Sequence, residues 1–99
     1  MLTRVVRLCF KAEQTPIFEQ IFNESKEKIR ACPGCLHLEL GRDSLDARVY
    51  YTISYWEDEK VLEDYRSSIL FKETWAKTKI LFEEKPMAFS IVTTEINSK

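Results

Sequence analysis

Between Tyr50 and Trp75 the chain gathers all four of its tyrosines, both tryptophans and Phe71, interleaved with Thr52, Ser54, Arg66, Ser67 and Ser68. Leu and Val alone can fill a small core, so seven large rings among polar groups suit the wall of a cavity for a flat apolar ligand. Within this stretch the Tyr65 hydroxyl can hydrogen-bond a phenolic or quinonoid oxygen, and the Arg66 guanidinium can pair with an anionic oxygen or enolate. Both have plainer readings: Tyr65 as a core tyrosine beside Val61 and Leu62, Arg66 as a side chain reaching solvent or a neighbouring carboxylate. Trp56, Phe71 and Trp75 are candidate ring contacts. Thr74 and Thr78, beside Trp75, either face a polar cavity or bond back to the carbonyl one turn earlier. His37, the one histidine, is the default general base because its pKa lies near neutrality; it also reads as a structural residue sharing a strand face with Glu39.

Other chemistries lack their parts. One histidine leaves no Ser-His-Asp set to assemble, and Gly34 and Gly41 are too few for a glycine-rich phosphate loop. Cys32-Pro33-Gly34-Cys35 has dithiol spacing, but it closes a helix, where the dipole disfavours a thiolate. Cys9, Cys32, Cys35 and His37 are metal-ligand types without the second close pair that structural zinc sites use, so no metal is expected. A net charge of −1 from 15 basic and 16 acidic residues gives no footprint for nucleic acid or an anionic membrane. The apolar runs are far short of the ~20 residues needed to span a bilayer, and the alternating start does not resemble a secretory leader. A soluble, cytoplasmic protein is the expectation.

The elements that must position these residues follow from periodicity. Residues 2–10 alternate as a strand, with Leu2, Val6, Leu8 and Phe10 on one face and Val5, Arg7 and Cys9 on the other. Thr15-Pro16 opens a helix whose inner side is Ile17, Phe18, Ile21, Phe22, Ile29 and Cys32, and Pro33-Gly34 stops it. Residues 35–42 alternate again, placing Leu36, Leu38 and Leu40 opposite Cys35, His37 and Glu39. The longest strand, 48–56, is rich in β-branched and aromatic residues. Asp58 caps a short helix, Ser67 or Ser68 breaks it, and a second helix carries Phe71, Trp75, Thr78 and Phe82 as a stripe. Pro86 precedes a last strand, 87–95. The order β-α-β-β-α-α-β in a single domain, 1–99, predicts a ferredoxin-like split βαβ fold, α+β, with a four-stranded antiparallel sheet. Helices cover one sheet face only, yet the longest strand is apolar on both, with Val49, Tyr51, Ile53 and Tyr55 opposite Tyr50 and Trp56. The uncovered face calls for a partner, most simply a second copy of the chain.

Three segments together, Cys32-Pro33-Gly34-Cys35-Leu36-His37-Leu38-Glu39-Leu40, Tyr55-Trp56-Glu57-Asp58-Glu59 and Tyr65-Arg66-Ser67-Ser68-Ile69-Leu70-Phe71, resemble the antibiotic biosynthesis monooxygenase domain family of dimeric α+β barrels. The resemblance covers nearly the whole chain. It implies a homodimer with a pocket in each subunit between helices and sheet. For activity it implies a monooxygenase without cofactor, acting with O2 on a small aromatic substrate such as a quinol or polyphenol; the alternative is a non-catalytic ligand-binding or accessory homodimer of the same fold. The family's haem-degrading branch uses a histidine ten residues after an aromatic. Here the aromatic is Tyr65 and the tenth residue is Trp75, which cannot ligate iron. That branch also carries an asparagine on the first strand, where this chain has Arg7 or Leu8.

Overall fold

The computed structural model describes residues 1–94 of the 99-residue chain. Four strands, β1 (Leu2–Cys9), β2 (Cys35–Arg42), β3 (Val49–Trp56) and β4 (Met87–Val92), form one sheet in the order β2-β3-β1-β4, every neighbour antiparallel. On one side lie α1 (Thr15–Arg30), α2 (Glu59–Arg66) and α3 (Ile69–Lys79). This is the ferredoxin-like α+β arrangement expected from the sequence. Strand β4 stops at Val92, and position 95 of the expected strand lies outside the described residues. No helix among those residues is long and apolar enough to cross a membrane.

Local chemistry sets the boundaries. Pro16 sits in the first turn of α1, where a missing N–H costs nothing. Asp58 accepts from the Val61 backbone N–H at 3.0 Å and starts α2, while Ser68 accepts from that of Phe71 at 3.1 Å and starts α3. The broken helix is therefore two helices, each with its own cap. Between α1 and β2, Gly34 takes φ +82°, and a Cβ there would stand 2.5 Å from Val61 Cγ2. Only glycine fits, because the turn needs a positive φ and α2 passes directly over it. The Gly34 carbonyl accepts from Glu57 N–H at 2.9 Å, tying this turn to the end of β3.

Two sequence expectations shift. Leu36 leaves the face of Leu38 and Leu40, because a β-bulge between Cys35 and His37 inserts an extra residue and leaves Leu36 exposed. Cys35 consequently pairs with Trp56 and joins the helix-covered side, opposite to the side of His37 and Glu39. Phe82 lies beyond the end of α3, in an isolated bridge with Phe10, and still meets the core by stacking on that ring at 5.2 Å.

The interior has two apolar clusters. One holds Leu8, Phe10, Phe18, Phe22, Ile29, Leu38, Tyr50 and Leu81; the smaller holds Leu2, Trp56 and Leu62. Phe10 is fully buried, which alone is worth roughly 2–3 kcal/mol. Partly buried Tyr65 packs against both clusters. On the opposite, helix-free side of the sheet, Met87, Phe89 and Ile91 are each about half exposed, at 49%, 48% and 50%.

Candidate functional site

Antiparallel pairing aligns the even-numbered residues of β1, β3 and β4 into rows beneath the helices. One row runs Ser90, Arg4, Ser54, Leu38 and the next runs Ala88, Val6, Thr52, Leu40. Small and polar side chains under a helical layer leave it without support, and a cavity of about 300 Å³ opens there, between the two apolar clusters. The sheet contributes Arg4, Val6, Thr52, Ser54 and Trp56 to its lining. Opposite them stand Phe22 and Ser25 of α1, Tyr65 and Arg66 of α2, and Phe71, Thr74, Trp75 and Thr78 of α3. All six residues of β4 are exposed, including Ala88 and Ser90 on the cavity side, so the helical layer stops short of this edge and the chamber opens along it.

One wall is a run of rings. Trp56 stacks on Tyr65 at 5.0 Å between centroids, Tyr65 meets Phe71 edge-on at 5.2 Å, and Phe71 stacks on Trp75 at 5.8 Å with planes 9° apart. The Trp56 Nε1–H donates to Ser54 Oγ at 2.9 Å, fixing the indole against the sheet. The ridge is rigid and continuous from sheet to last helix, a surface on which a planar molecule can lie.

Polar groups on this surface are few. Thr78 donates to the Thr74 carbonyl at 2.8 Å and Ser25 to the Ile21 carbonyl at 2.8 Å, so both protons are committed to their own helices. Tyr65 differs. Its hydroxyl has no hydrogen-bond partner among the described residues, and burial pushes its pKa strongly upward, reinforced by the neighbouring Cys32 and Cys35 thiols. It therefore remains a neutral phenol at physiological pH, part of the chamber lining, with its hydroxyl close enough to Cys32 and Cys35 to feel their charge. Arg66 pairs with Glu63 at 2.8 Å near the mouth, and Arg4 donates through Nη1 to Ser90 Oγ at 2.9 Å. Among the described residues, the charged ones lining the chamber are these two arginines, and no carboxylate lines it.

The structure thus brings together Tyr65, Arg66, Trp56, Phe71, Trp75 and Thr78 of the sequence candidates. It does not bring His37. Odd-numbered on β2 beyond the bulge, His37 points to the opposite side of the sheet, stacks on Tyr55 at 4.9 Å and bonds Glu39 at 2.5 Å. A separate recess at the start of β2, beside the end of α1, is lined by Arg30, Cys35, Leu36, His37 and Leu38. Among the described residues no cluster of three or more His, Cys, Asp or Glu could hold a metal ion. Sequence reasoning passed over Arg4, Thr52 and Ser54. Their signal was readable: polar residues at strand positions in phase with Val6, Leu8 and Trp56 break the apolar alternation on the face that the helices cover.

Comparison with known proteins gives the chain its relatives. The sequence profile of the family described as antibiotic biosynthesis monooxygenase matches residues 1–77. A crystal structure of an antibiotic biosynthesis monooxygenase superposes with a TM-score of 0.90 at 21% identity, covering 96% of this chain and 100% of the other. A conserved protein from Methanosarcina mazei Go1 gives 0.89 at 18% identity, over 95% of this chain and 94% of that one. Rv0793 from Mycobacterium tuberculosis gives 0.88 at 13% identity, over 98% of each chain. At these identities the likeness is one of fold. No curated protein matches the chain.

Proposed function

The chain belongs to the antibiotic biosynthesis monooxygenase family, and on that premise we propose that it is a cofactor-independent monooxygenase acting on a small aromatic quinol or polyphenol in the chamber. One observation carries the reading: the rings that could have closed a solid core, Tyr65 among them, instead wall a cavity of about 300 Å³ lined by two guanidiniums. That volume accommodates one or two fused rings.

The chemistry asks little of the protein beyond orientation, desolvation and charge. A quinol lies on the Trp56–Tyr65–Phe71–Trp75 ridge. Tyr65 donates to one of its oxygens, and Arg66 favours the anion, so the quinol proton leaves to water at the mouth. The quinolate passes one electron to O2; the resulting semiquinone and superoxide couple at a ring carbon, forming a C–O bond. Protonation gives a hydroperoxide, which breaks its O–O bond and loses the ring hydrogen with the distal oxygen as water, leaving a hydroxyquinone. One oxygen atom is retained and one becomes water. The quinol supplies all four electrons, so no further reductant is required.

The same reading makes the protein a homodimer joined through the helix-free face, where Val5, Ile53, Phe89 and Ile91 present apolar surface. An obligate interface of this kind buries about 2,000 Å² or more in total.

Oxygen uptake with a panel of hydroquinones, 1,4-dihydroxynaphthalene among them, tests the activity. The expected result is one O2 consumed per quinol above the autoxidation rate, with one labelled oxygen atom from ¹⁸O2 in the product and no hydrogen peroxide released. Ligand binding with no catalysed uptake would replace this reading with the non-catalytic binding dimer.

A further inference from the structure

We propose that Arg4, together with Arg66 and the Ser90 hydroxyl, forms a carboxylate-binding subsite at the chamber mouth, so that the ligand is an aromatic acid whose ring lies on the Trp56–Tyr65 ridge. The proposal rests on the chamber being the substrate site and names the substrate class within it.

Arginine pairing supplies the first argument. Five of the six arginines have a carboxylate within ion-pair distance: Arg7 with Glu84, Arg30 with Glu27, Arg42 with Glu19, Arg48 with Asp46 and Arg66 with Glu63. Arg4 has none among the described residues. Its one side-chain bond goes to a neutral hydroxyl, Ser90 Oγ at 2.9 Å. A guanidinium set into a sheet face under a helical layer, whose nearest carboxylate, Glu63, is bonded to Arg66 instead, is where an anion gains most.

Position and balance supply the second. Arg4 lies in the same cross-strand row as Ser54, whose oxygen holds the Trp56 indole, so a group bound at Arg4 is one strand away from the ring wall. Arg66 lines the same cavity from α2, close enough for the two positive charges to repel. Glu63 offsets one of the two, leaving, among the described residues, about one uncompensated positive charge and no lining carboxylate to oppose a ligand. A carboxylate monoanion matches that charge. A phosphate dianion exceeds it. The fork of Arg4, with one N–H already engaged by Ser90, retains further donors for a planar two-oxygen acceptor.

The test uses 2-naphthoate and its neutral isostere 2-naphthamide, titrated calorimetrically into the full-length protein at low and moderate salt. The wild type should bind the naphthoate about tenfold tighter than the amide, with the preference shrinking as salt rises. Arg4→Gln should abolish the preference, chiefly by weakening naphthoate binding to the level of the amide, and Arg4→Lys should restore part of it. Thermal melts of each variant establish folding. Equal affinity for acid and amide in the wild type would overturn the subsite but leave the chamber reading standing. Loss of both ligands in a folded Arg4→Gln protein would overturn it too, by making Arg4 a structural residue. Binding of neither ligand to the wild type would overturn the subsite and the chamber reading together.

Discussion

The indole of Trp56 and the phenol of Tyr65 lie nearly parallel, 5.0 Å apart with planes 23° from coplanar, although one ends a strand and the other belongs to the following helix. Their stack joins the smaller apolar cluster to the chamber wall and holds the Tyr65 hydroxyl where none of the described residues takes its proton. Removing only that oxygen separates chemistry from packing. Tyr65→Phe should keep the stack and melt near the wild-type temperature, while quinol oxidation slows by about one to two orders of magnitude, the worth of a hydrogen bond to a charged oxygen. Unchanged kcat would show that Tyr65 is a packing residue alone.

Trp75 faces both chamber and core, stacking on Phe71 and lying 5.5 Å from Phe82. Trp75→Ala should therefore cost both activity and about 3 kcal/mol of stability, measured by urea unfolding. Loss of activity at full stability would place the ring entirely in the ligand site.

Gly34→Ala should destabilise by ~2 kcal/mol or more, because it combines a positive φ with a Cβ 2.5 to 2.8 Å from three Val61 carbons. The double variant with Val61→Ala should recover the steric share and keep the backbone share. Full recovery would mean that the turn tolerates its φ without glycine.

Most of the fold was legible because its signals are local and redundant: Pro16 and Gly34 bracket α1, Asp58 and Ser68 cap two short helices, and β3 is a run of β-branched and aromatic residues. The bulge at Leu36 was not legible, since an inserted residue leaves no mark in a short alternating run, and with it went the correct side for Cys35. The ring residues of the site were readable from their types and Arg4 from its phase on β1, whereas the row that joins Arg4 to Ser54 and Ser90 was not, because it depends on pairing between distant parts of the chain. His37 attracted attention by chemistry and was excluded by strand parity.

Alkaline pH should weaken the fold. Tyr65 and Tyr50 are both raised above the usual tyrosine value, chiefly by burial. Below the unfolded value of ~10 both states keep the proton; above it the unfolded chain ionises first, so stability falls as pH climbs toward the folded pKa. Cys9, Cys32 and Cys35, raised by the same cause, add a decline beginning near pH ~8.5. Urea midpoints from pH 7 to 11 should drop more gently in Tyr65→Phe than in the wild type. Parallel curves would contradict the burial assigned to this hydroxyl.

Phe89→Glu places a charge in the middle of the helix-free face, where the ring is 48% exposed in the single chain. Light scattering should show the wild type as a dimer at micromolar concentration and this variant as a monomer. A monomeric wild type would remove the dimer from the proposal.

Strand β1 lies between β3 and β4, with Leu2 paired to Trp56 on one side and to Val92 on the other. During synthesis the earliest strand of this sheet therefore waits for the latest: its inner edge stays open until β3 has emerged, and its outer edge until β4 has. Such long-range closure slows folding and leaves the apolar β1 exposed for most of translation. Truncated nascent chains ending before Met87 should remain protease-sensitive and prone to capture by chaperones, however well α1 and β2 have formed by then.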